Sequence, residues 1–196
     1  MSEDLGVSAN YLNSLNLADK KILYGRLTAW CAMYRRAIGT IGLAAATKEL
    51  LLQIDSAIQK DLKGVSCTKG CSFCCYLNVS ISKGEALLLV PHVTKERLEH
   101  LKLQASYGDD TATLSNTPYR DRRCAFLKDG SCSVYADRPA TCRKYYVKSA
   151  PKFCDTSQGQ QKVLNVAISA AEIMCMVLAL EEGEGSMPQQ LLKIIG

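Results

Sequence analysis

The sequence has little histidine, with His92 and His100 as its only two, and it lacks the compact motifs of common enzyme classes. No phosphate-binding glycine loop, serine–histidine–aspartate set or carboxylate pair stands out, so hydrolase and kinase functions have no support. The longest apolar run, Ile173 to Leu180, is far shorter than the ~20 residues of a membrane-spanning helix. The sequence starts with acidic residues, whereas a secretory signal starts with basic ones followed by an apolar stretch. We therefore expect no membrane contact and a cytoplasmic location.

Cysteine is the residue type that the sequence has in excess, with 10 among 196 residues. A chain of this length can bury a core without disulfides, and clustered thiols in a reducing compartment are typically metal-binding or catalytic. Cys31 and Cys175 stand alone on predicted helix faces, and we interpret them as small buried side chains. The other eight are the candidate metal ligands: Cys67, Cys71, Cys74, Cys75, Cys124, Cys132, Cys142 and Cys154.

Apolar residues at helical spacing predict an antiparallel helical hairpin over 18–63. In this prediction Gly39 ends the first helix, Thr40 caps the second and Gly64 ends the second. The apolar stripe of the first helix comprises Leu23, Leu27, Trp30, Tyr34 and Ile38.

Further elements follow from local signals. Ser82 with Glu85 fits a capping box, and Thr94 fits the cap of a further helix reaching about Leu103. Asp129-Gly130 between short apolar segments indicates a β-hairpin. Asp137 is placed to cap a short helix.

A polar segment over 107–117 is expected to be a loop, and apolar residues from Val163 to Leu180 predict a long buried helix ended by Gly183. The overall prediction is a mainly α fold with a small β-hairpin, whose helical layers surround an irregular, cysteine-rich metal-binding core. We expect a single domain over 1–196, with a cysteine region at 66–154 and a C-terminal helical segment at 160–196.

The first four candidate ligands form one loop, Cys67-x3-Cys71-x2-Cys74-Cys75. Thiolates select zinc, copper(I) or iron–sulfur centres, and the scarcity of histidine predicts an all-sulfur site. Gly70 gives the loop a residue that takes a positive φ without strain. The adjacent side chains of Cys74 and Cys75 diverge, so they either serve different metals or divide ligation and support between them.

The spacing of the later cysteines weakens a zinc-ribbon interpretation. A zinc ribbon has two Cys-x2-Cys knuckles, and this sequence has one. Cys67, Cys71 and Cys74 also resemble the Cys-x3-Cys-x2-Cys signature of radical S-adenosylmethionine enzymes, which hold a [4Fe-4S] cluster. Those enzymes have βα-barrel folds, and a short, mostly helical chain does not fit one.

The whole pattern is more specific than its first loop. After a gap it continues as Cys124-x-Phe-Leu-x-x-Gly-x-Cys132-x-x-Tyr-x-x-Arg-Pro-x-x-Cys142-Arg-x-Tyr and ends at Cys154. This arrangement resembles the YkgJ-type cysteine-cluster family, also called the CxxCxxCC family and described as zinc- or iron-chelating proteins. The resemblance covers about Ser66 to Cys154.

The resemblance implies that the eight cysteines are the metal-binding set. The same cluster occurs in a flagellin lysine-N-methylase that is linked to an iron–sulfur centre. Independently, the stretch from Pro118 to Lys152 has nine basic and three acidic residues, so positive charge is concentrated where the later cysteines lie. Arg138 and Arg143 could offset the charge of a thiolate cluster, and Tyr145 could pack over it.

Three functions remain open at this level. An iron–sulfur centre, preferably [4Fe-4S], would serve redox or group-transfer chemistry such as methyl transfer, and this is the preferred hypothesis. Zinc would make the chain a structural or interaction module, and disulfide exchange at Cys74 and Cys75 would make it a redox sensor. The partner would be a protein or small molecule. Nucleic acid is disfavoured despite Arg120, Arg122 and Arg123, and a homodimer through the N-terminal helices stays open.

Overall fold

The computed structural model describes residues 16–60, 62–68, 70–108, 117–157, 163 and 169–196. Most of them lie in α-helices, and the strands have two or three residues each, which confirms the prediction of a mainly α fold with a small β-hairpin. The elements are α1 (Leu17–Ile41), α2 (Leu43–Gln59), β1 (Ser80–Ser82), α3 (Lys83–Leu89), α4 (Lys95–Ser106), β2 (Leu127–Lys128), β3 (Ser131–Cys132), α5 (Ala140–Lys144), α6 (Ser169–Glu182), β4 (Glu184–Ser186) and α7 (Met187–Ile195).

The two N-terminal helices, α1 and α2, pack against each other as predicted. Their boundary differs from the prediction, because Gly39 and Thr40 both lie inside α1. The helix ends instead at Gly42, whose φ of 81° lies in the left-handed region that glycine tolerates. A glycine inside a helix costs only ~1 kcal/mol, so the packing of a 25-residue helix overrides it at Gly39. The second helix also ends earlier than predicted, at Gln59 rather than near Gly64.

Helix α6 packs on both N-terminal helices and completes the larger hydrophobic cluster. The hydroxyl of Tyr34 lies 2.7 Å from the hydroxyl of Thr47 and donates to the carboxylate of Glu182, which ties the three helices together. The described part of α6 begins at Ser169, and residues 164–168 of the predicted helix lie outside the described residues. Gly183 follows the helix with a φ of 72°, as predicted.

A second hydrophobic cluster lies under a two-stranded sheet that the sequence did not predict. In this antiparallel sheet β1 pairs with β4, with Ser80 opposite Ser186 and Ile81 opposite Gly185. Helices α3 and α7 pack on these strands, and α4 packs on α7. The cluster consists of Ile81, Ala86, Leu89, Leu101, Phe126, Val134, Met187 and Leu191. The prediction that the chain forms a single domain stays a prediction.

The predicted helix caps at Ser82 and Thr94 are confirmed. Ser82 and Glu85 form a reciprocal capping box at the start of α3, and the Thr94 hydroxyl accepts from the backbone N–H of Arg97 at the start of α4. Most of the predicted polar loop, residues 109–116, lies outside the described residues.

The predicted hairpin at Asp129-Gly130 is confirmed, with β2 and β3 on either side of it. Both turn residues have positive φ angles, 48° and 72°. The predicted cap at Asp137 is wrong, because α5 starts later and Pro139 precedes it. The Asp137 carboxylate instead accepts from Lys48 and lies 3.1 Å from Nε2 of His92.

Several large apolar side chains on α1 face outward, among them Leu17, Ile22, Tyr24 and Met33. The homodimer through the N-terminal helices stays a prediction. Among the described helices, none has the length and apolar character required to cross a bilayer.

Candidate metal centre

The first four cysteines lie on a tight loop and on the short 3-10 helix that follows it, Phe73–Tyr76. The backbone N–H of Cys71 donates to the carbonyl of Thr68 at 3.0 Å, and Gly70 takes the expected positive φ, 89°. Cys74 and Cys75 both lie on the 3-10 helix, with Cys75 N–H donating to the Ser72 carbonyl at 3.0 Å. Local hydrogen bonds thus fold the loop back on itself.

A backbone hydrogen bond attaches the hairpin to this loop. The N–H of Cys124 donates to the carbonyl of Cys75 at 2.7 Å. The N–H of Leu127 donates to the carbonyl of Cys124 at 3.0 Å, and Leu127 pairs across the hairpin with Cys132. The hairpin therefore places Cys124 and Cys132 beside the loop through backbone contacts.

The last two cysteines reach the loop from the segment between α5 and residue 157. Cys142 lies on α5, and Cys154 lies on the 3-10 helix Pro151–Cys154, which packs against Phe73–Tyr76. The segment between them is held to the start of the loop, because Ser66 N–H donates to the Val147 carbonyl at 2.8 Å. Four parts of the chain that are distant in sequence thus meet at one place.

Burial dominates the acidity of most of these thiols. It raises the pKa of Cys67 and Cys132, raises that of Cys124 and of Cys154 to about 11, and raises that of Cys142 well above its usual value. A metal therefore has to displace protons from them, which couples binding to pH.

The adjacent pair behaves differently. A hydrogen bond from the thiol of Cys75 lowers the pKa of Cys74 to about 7, and the same bond raises the pKa of Cys75. Cys74 is thus the thiol most readily converted to thiolate in this pair.

The thiols fall into two neighbourhoods according to which charges reach them. Beyond burial, charge on Cys67, Cys71 and Cys74 raises the pKa of Cys154, and charge on Cys71 and Cys74 raises that of Cys67. In the other neighbourhood, charge on Cys124, Cys74 and Cys132 raises the pKa of Cys142. Charge on Cys74, Cys124 and Cys142 likewise raises the pKa of Cys75. Cys74 lies within reach of both.

Backbone N–H groups point at several of the sulfurs. The amides of Phe126 and Leu127 donate to Cys124, and that of Val134 donates to Cys132. Such bonds favour the thiolate over the thiol and are a usual means of tuning a thiolate-bound metal.

Of the three residues predicted to assist a cofactor, two lie beside thiols. Beyond the effect of burial, the charge of Arg138 lowers the pKa of Cys132. Burial raises the pKa of Tyr145 to about 12, and charge on Cys154, Cys74 and Cys67 contributes to the rise.

Arg143 has a different environment, with a side chain only 1% exposed. Its guanidinium pairs with the carboxylate of Asp55 and donates to the carbonyls of Arg138 and Ala136. The pair with Asp55 joins α5 to α2, and the two carbonyl bonds hold the segment before α5, so three of its donors serve the local fold.

The structure adds residues that sequence reasoning missed. Arg97 of α4 places its charge near Cys132 and lies over the ring of Phe126, 5.3 Å from its centroid. Tyr76 stacks on Tyr119 with ring centroids 4.5 Å apart. Arg97 looks like an ordinary helix-surface residue in the sequence, and nothing in the spacing of the two tyrosines predicts their contact.

Both histidines have other contacts. His92 lies beside Asp137, and Nε2 of His100 lies 2.6 Å from the carbonyl oxygen of Arg123. Cys31 and Cys175 are buried in the larger hydrophobic cluster, as expected for structural thiols.

All ten cysteines are free thiols. Within the described ranges, no three cysteine, histidine or acidic side chains are already arranged to hold a metal ion. A thiol can turn between staggered χ1 positions without moving the backbone, and eight neighbouring sulfurs form a donor set that soft metals prefer. The residues present therefore fit a thiolate-bound metal, whose binding would turn the thiols inward.

Comparison with known proteins supports this conclusion. The family model CxxCxxCC, described as "Putative zinc- or iron-chelating domain", matches residues 66–178, more than half of the chain. No curated protein and no solved structure matches the chain significantly.

Proposed function

The chain belongs to the CxxCxxCC family of zinc- or iron-chelating domains, and we propose that its cysteine cluster holds an iron–sulfur centre for redox or group-transfer chemistry. The observation that carries this proposal is the meeting of half-buried and buried thiols from four separate segments around the helix Phe73–Tyr76. A centre enclosed by the fold in this way differs from zinc knuckles, which are local in sequence. A [4Fe-4S] cluster, with one thiolate to each iron, is the form that we expect.

The surroundings of the thiols suit an anionic cluster. Arg97 and Arg138 bring positive charge to Cys132, and backbone amides donate to Cys124 and Cys132. Charge, hydrogen bonds to sulfur and burial are the features by which a protein sets the reduction potential of an iron–sulfur centre. When bound, such a centre supplies one-electron transfer, and the chain's own residues set its potential and exclude water.

The cavity found beside the cysteines, in the part of the chain that the structure describes, is too small to enclose an organic ligand. A cavity of about 50 Å³ lies beside Cys124, with Tyr107 and Asp121 among its lining residues. Pockets for small organic ligands usually have ~300–1,000 Å³. Methyl transfer remains a narrower form of the proposal, and its test is binding of S-adenosylmethionine to the loaded protein.

The basic residues support a protein or small-molecule partner better than nucleic acid. Arg122 donates to the Thr117 carbonyl and Arg123 to that of Leu127, so both guanidinium groups serve the local fold. A cytoplasmic location accompanies the proposal, because a reducing compartment keeps the thiols available.

A zinc-bound structural module is the second candidate. It is favoured by the number of free thiols in the cluster, since two four-coordinate zinc ions would use all eight. In that case the protein would be colourless and stable in air.

The experiment is elemental and acid-labile sulfide analysis, with an absorbance spectrum, on the full chain purified without air. Iron and sulfide in equal amounts with a broad visible absorption would support the proposal. Zinc without colour would transfer support to the second candidate. Neither metal, after reconstitution with iron and sulfide and separately with zinc, would overturn both.

A further inference from the structure

We propose that the eight thiols form two separate four-thiolate centres, joined through the peptide bond between Cys74 and Cys75. The first consists of Cys67, Cys71, Cys74 and Cys154, and the second of Cys75, Cys124, Cys132 and Cys142. This inference rests on the proposed function only in requiring that the cluster binds a metal. It holds for zinc and for iron–sulfur centres alike.

The first centre follows from contacts on one side of the loop. The turn from Thr68 to Cys71 folds Cys71 back toward Cys67, and the bond from Ser66 to Val147 fixes the start of the loop. A second bond, from the Ser66 hydroxyl to the Lys148 carbonyl at 2.8 Å, strengthens that attachment. The chain then leads into Pro151–Cys154, which packs on the helix that carries Cys74.

The second centre is built on the hairpin. The backbone N–H of Cys124 donates to the carbonyl of Cys75. The β2–β3 hairpin then places Cys132 opposite Leu127, and Leu127 follows Cys124 by three residues. Helix α5 supplies Cys142, and its first residue, Ala140, is held by the buried carboxylate of Glu85 at 2.6 Å. Arg143, next to Cys142, donates to the Ala136 carbonyl at 2.6 Å, which attaches α5 to the segment that follows the hairpin.

Cys74 is near both groups, and ligand number decides its assignment. The hairpin group is complete with four thiols, Cys75 included, whereas the other group has three without Cys74. Zinc and cubane clusters both take four thiolates. The backbone bond from Cys124 N–H attaches Cys75 to the hairpin group, which leaves Cys74 for the first centre. The alternative, in which Cys74 bridges a single dinuclear centre, gives a different experimental result.

The first test uses the unaltered full chain, purified without air and with its metal content measured. A chelator is added in steps, exposed thiols are alkylated, and the number of labels per molecule is read by intact mass spectrometry. Two independent centres give molecules with four labels at partial release, even if both lose metal equally readily. Peptide mapping of the molecules with four labels should then find the labels together on Cys67, Cys71, Cys74 and Cys154, or together on the other four cysteines of the cluster. A single shared centre would give only unlabelled and eightfold-labelled molecules and would overturn the inference.

The second test uses serine variants, with Cys31→Ser as the matched control. Cys154→Ser and Cys132→Ser should each retain half of the metal of the unaltered chain, and their combination should retain none. Cys154→Ser combined with Cys71→Ser should lose no more than Cys154→Ser alone. Cys74→Ser should lose the first centre only, and loss of both would show a bridging thiol and overturn the inference.

Folding is checked in the same samples, because Cys31 and Cys175 are buried away from the cluster and become alkylated only on unfolding. If a variant unfolds, the chelator experiment on the unaltered chain decides. An unaltered chain that holds no metal would contradict the proposed function, whereas metal loading without partition between the two sets would contradict only this inference.

Discussion

The backbone N–H of Cys124 donates to the carbonyl oxygen of Cys75 at 2.7 Å, and this bond attaches the hairpin to the cysteine loop. Beside it, the rings of Tyr76 and Tyr119 stack nearly parallel, at an angle of 3°. A main-chain bond and an aromatic contact thus hold the same junction. Because the thiols on either side come from different segments, the junction determines how close they lie.

The stacked pair provides the first prediction. Tyr119→Ala should weaken the junction and speed release of metal to a chelator, since such ring pairs contribute ~0.5–1.5 kcal/mol beyond their buried area. Tyr119→Phe keeps the ring and loses only the long hydrogen bond, 3.4 Å, from the Tyr119 hydroxyl to Asp155, so it should release metal at nearly the rate of the unaltered chain. The measurement is metal release followed by absorbance. Equal rates for alanine and phenylalanine would show that the stack does not support the centre.

Metal removal should affect the two parts of the fold unequally. The larger hydrophobic cluster of α1, α2 and α6 contains neither hairpin nor loop cysteines, so it should persist without metal. Strands β2 and β3 have two residues each and few apolar contacts of their own. Hydrogen exchange should therefore rise over 66–154 after chelation while α2 stays protected. Uniform loss of protection would mean that the metal stabilises the entire fold.

Local signals in the sequence predicted the elements whose causes are local. The capping box at Ser82, the cap at Thr94 and the turn at Asp129-Gly130 each depend on a few neighbouring residues, and the structure has all of them. The pairing of Ser80 with Ser186 joins residues more than a hundred positions apart, and strands of three residues leave little alternation to detect.

The site shows the same division. The spacing of the cysteines identified the thiols that the fold brings together, because the pattern itself is the signal. The burial of Arg143 was not predictable, because its partner Asp55 lies on α2 and looks like a surface residue in a helical stripe. Gly42 rather than Gly39 ends α1, and only the packing of α1 on α2 distinguishes the two glycines.

The two arginines of the Arg-Pro-x-x-Cys-Arg motif should give opposite results. Arg143→Met removes the buried cation that pairs with Asp55 and donates to the carbonyls of Arg138 and Ala136, so it should lower the free energy of unfolding by ~3 kcal/mol, measured by denaturant titration. Metal per folded molecule should not change. Arg138→Met should cost less stability, because it removes a longer contact with Asp55, at 3.3 Å, and a contact with the Tyr135 ring, while Arg143 continues to pair with that carboxylate. It should lower the reduction potential or the metal affinity, since it removes positive charge near Cys132. A reversed pattern would contradict the roles assigned to the two residues.

Gly84 should tolerate no side chain. A Cβ at this position would overlap the Thr47 hydroxyl and approach a Glu182 oxygen to 2.8 Å. Gly84→Ala should therefore destabilise the contact of α3 with α2 by ~1–3 kcal/mol, as overpacking does. Gly25, inside α1, has nothing within 4 Å of the same position, so Gly25→Ala is the matched control and should stabilise by up to ~1 kcal/mol. Thermal unfolding of both variants measures the difference, and a neutral Gly84→Ala would contradict the close approach.

Glu85 should make stability depend on pH in a direction opposite to that of most carboxylates. Burial raises its pKa to about 7, although the backbone N–H groups of Ala140 and Ser82 both donate to it and oppose the rise. Because the folded pKa exceeds the unfolded one, protonation favours the folded state. The contribution of Glu85 is then complete below about pH 4.5 and is lost as the pH rises through about 7.

Glu85→Gln cannot titrate, and its amide nitrogen cannot accept one of the two N–H bonds, which should cost ~1–3 kcal/mol. The difference in unfolding free energy between the unaltered chain and Glu85→Gln should therefore shrink from pH 4.5 to pH 7.5. A difference that grows with pH would show that the carboxylate, held by two backbone donors, is stabilised in its charged form after all.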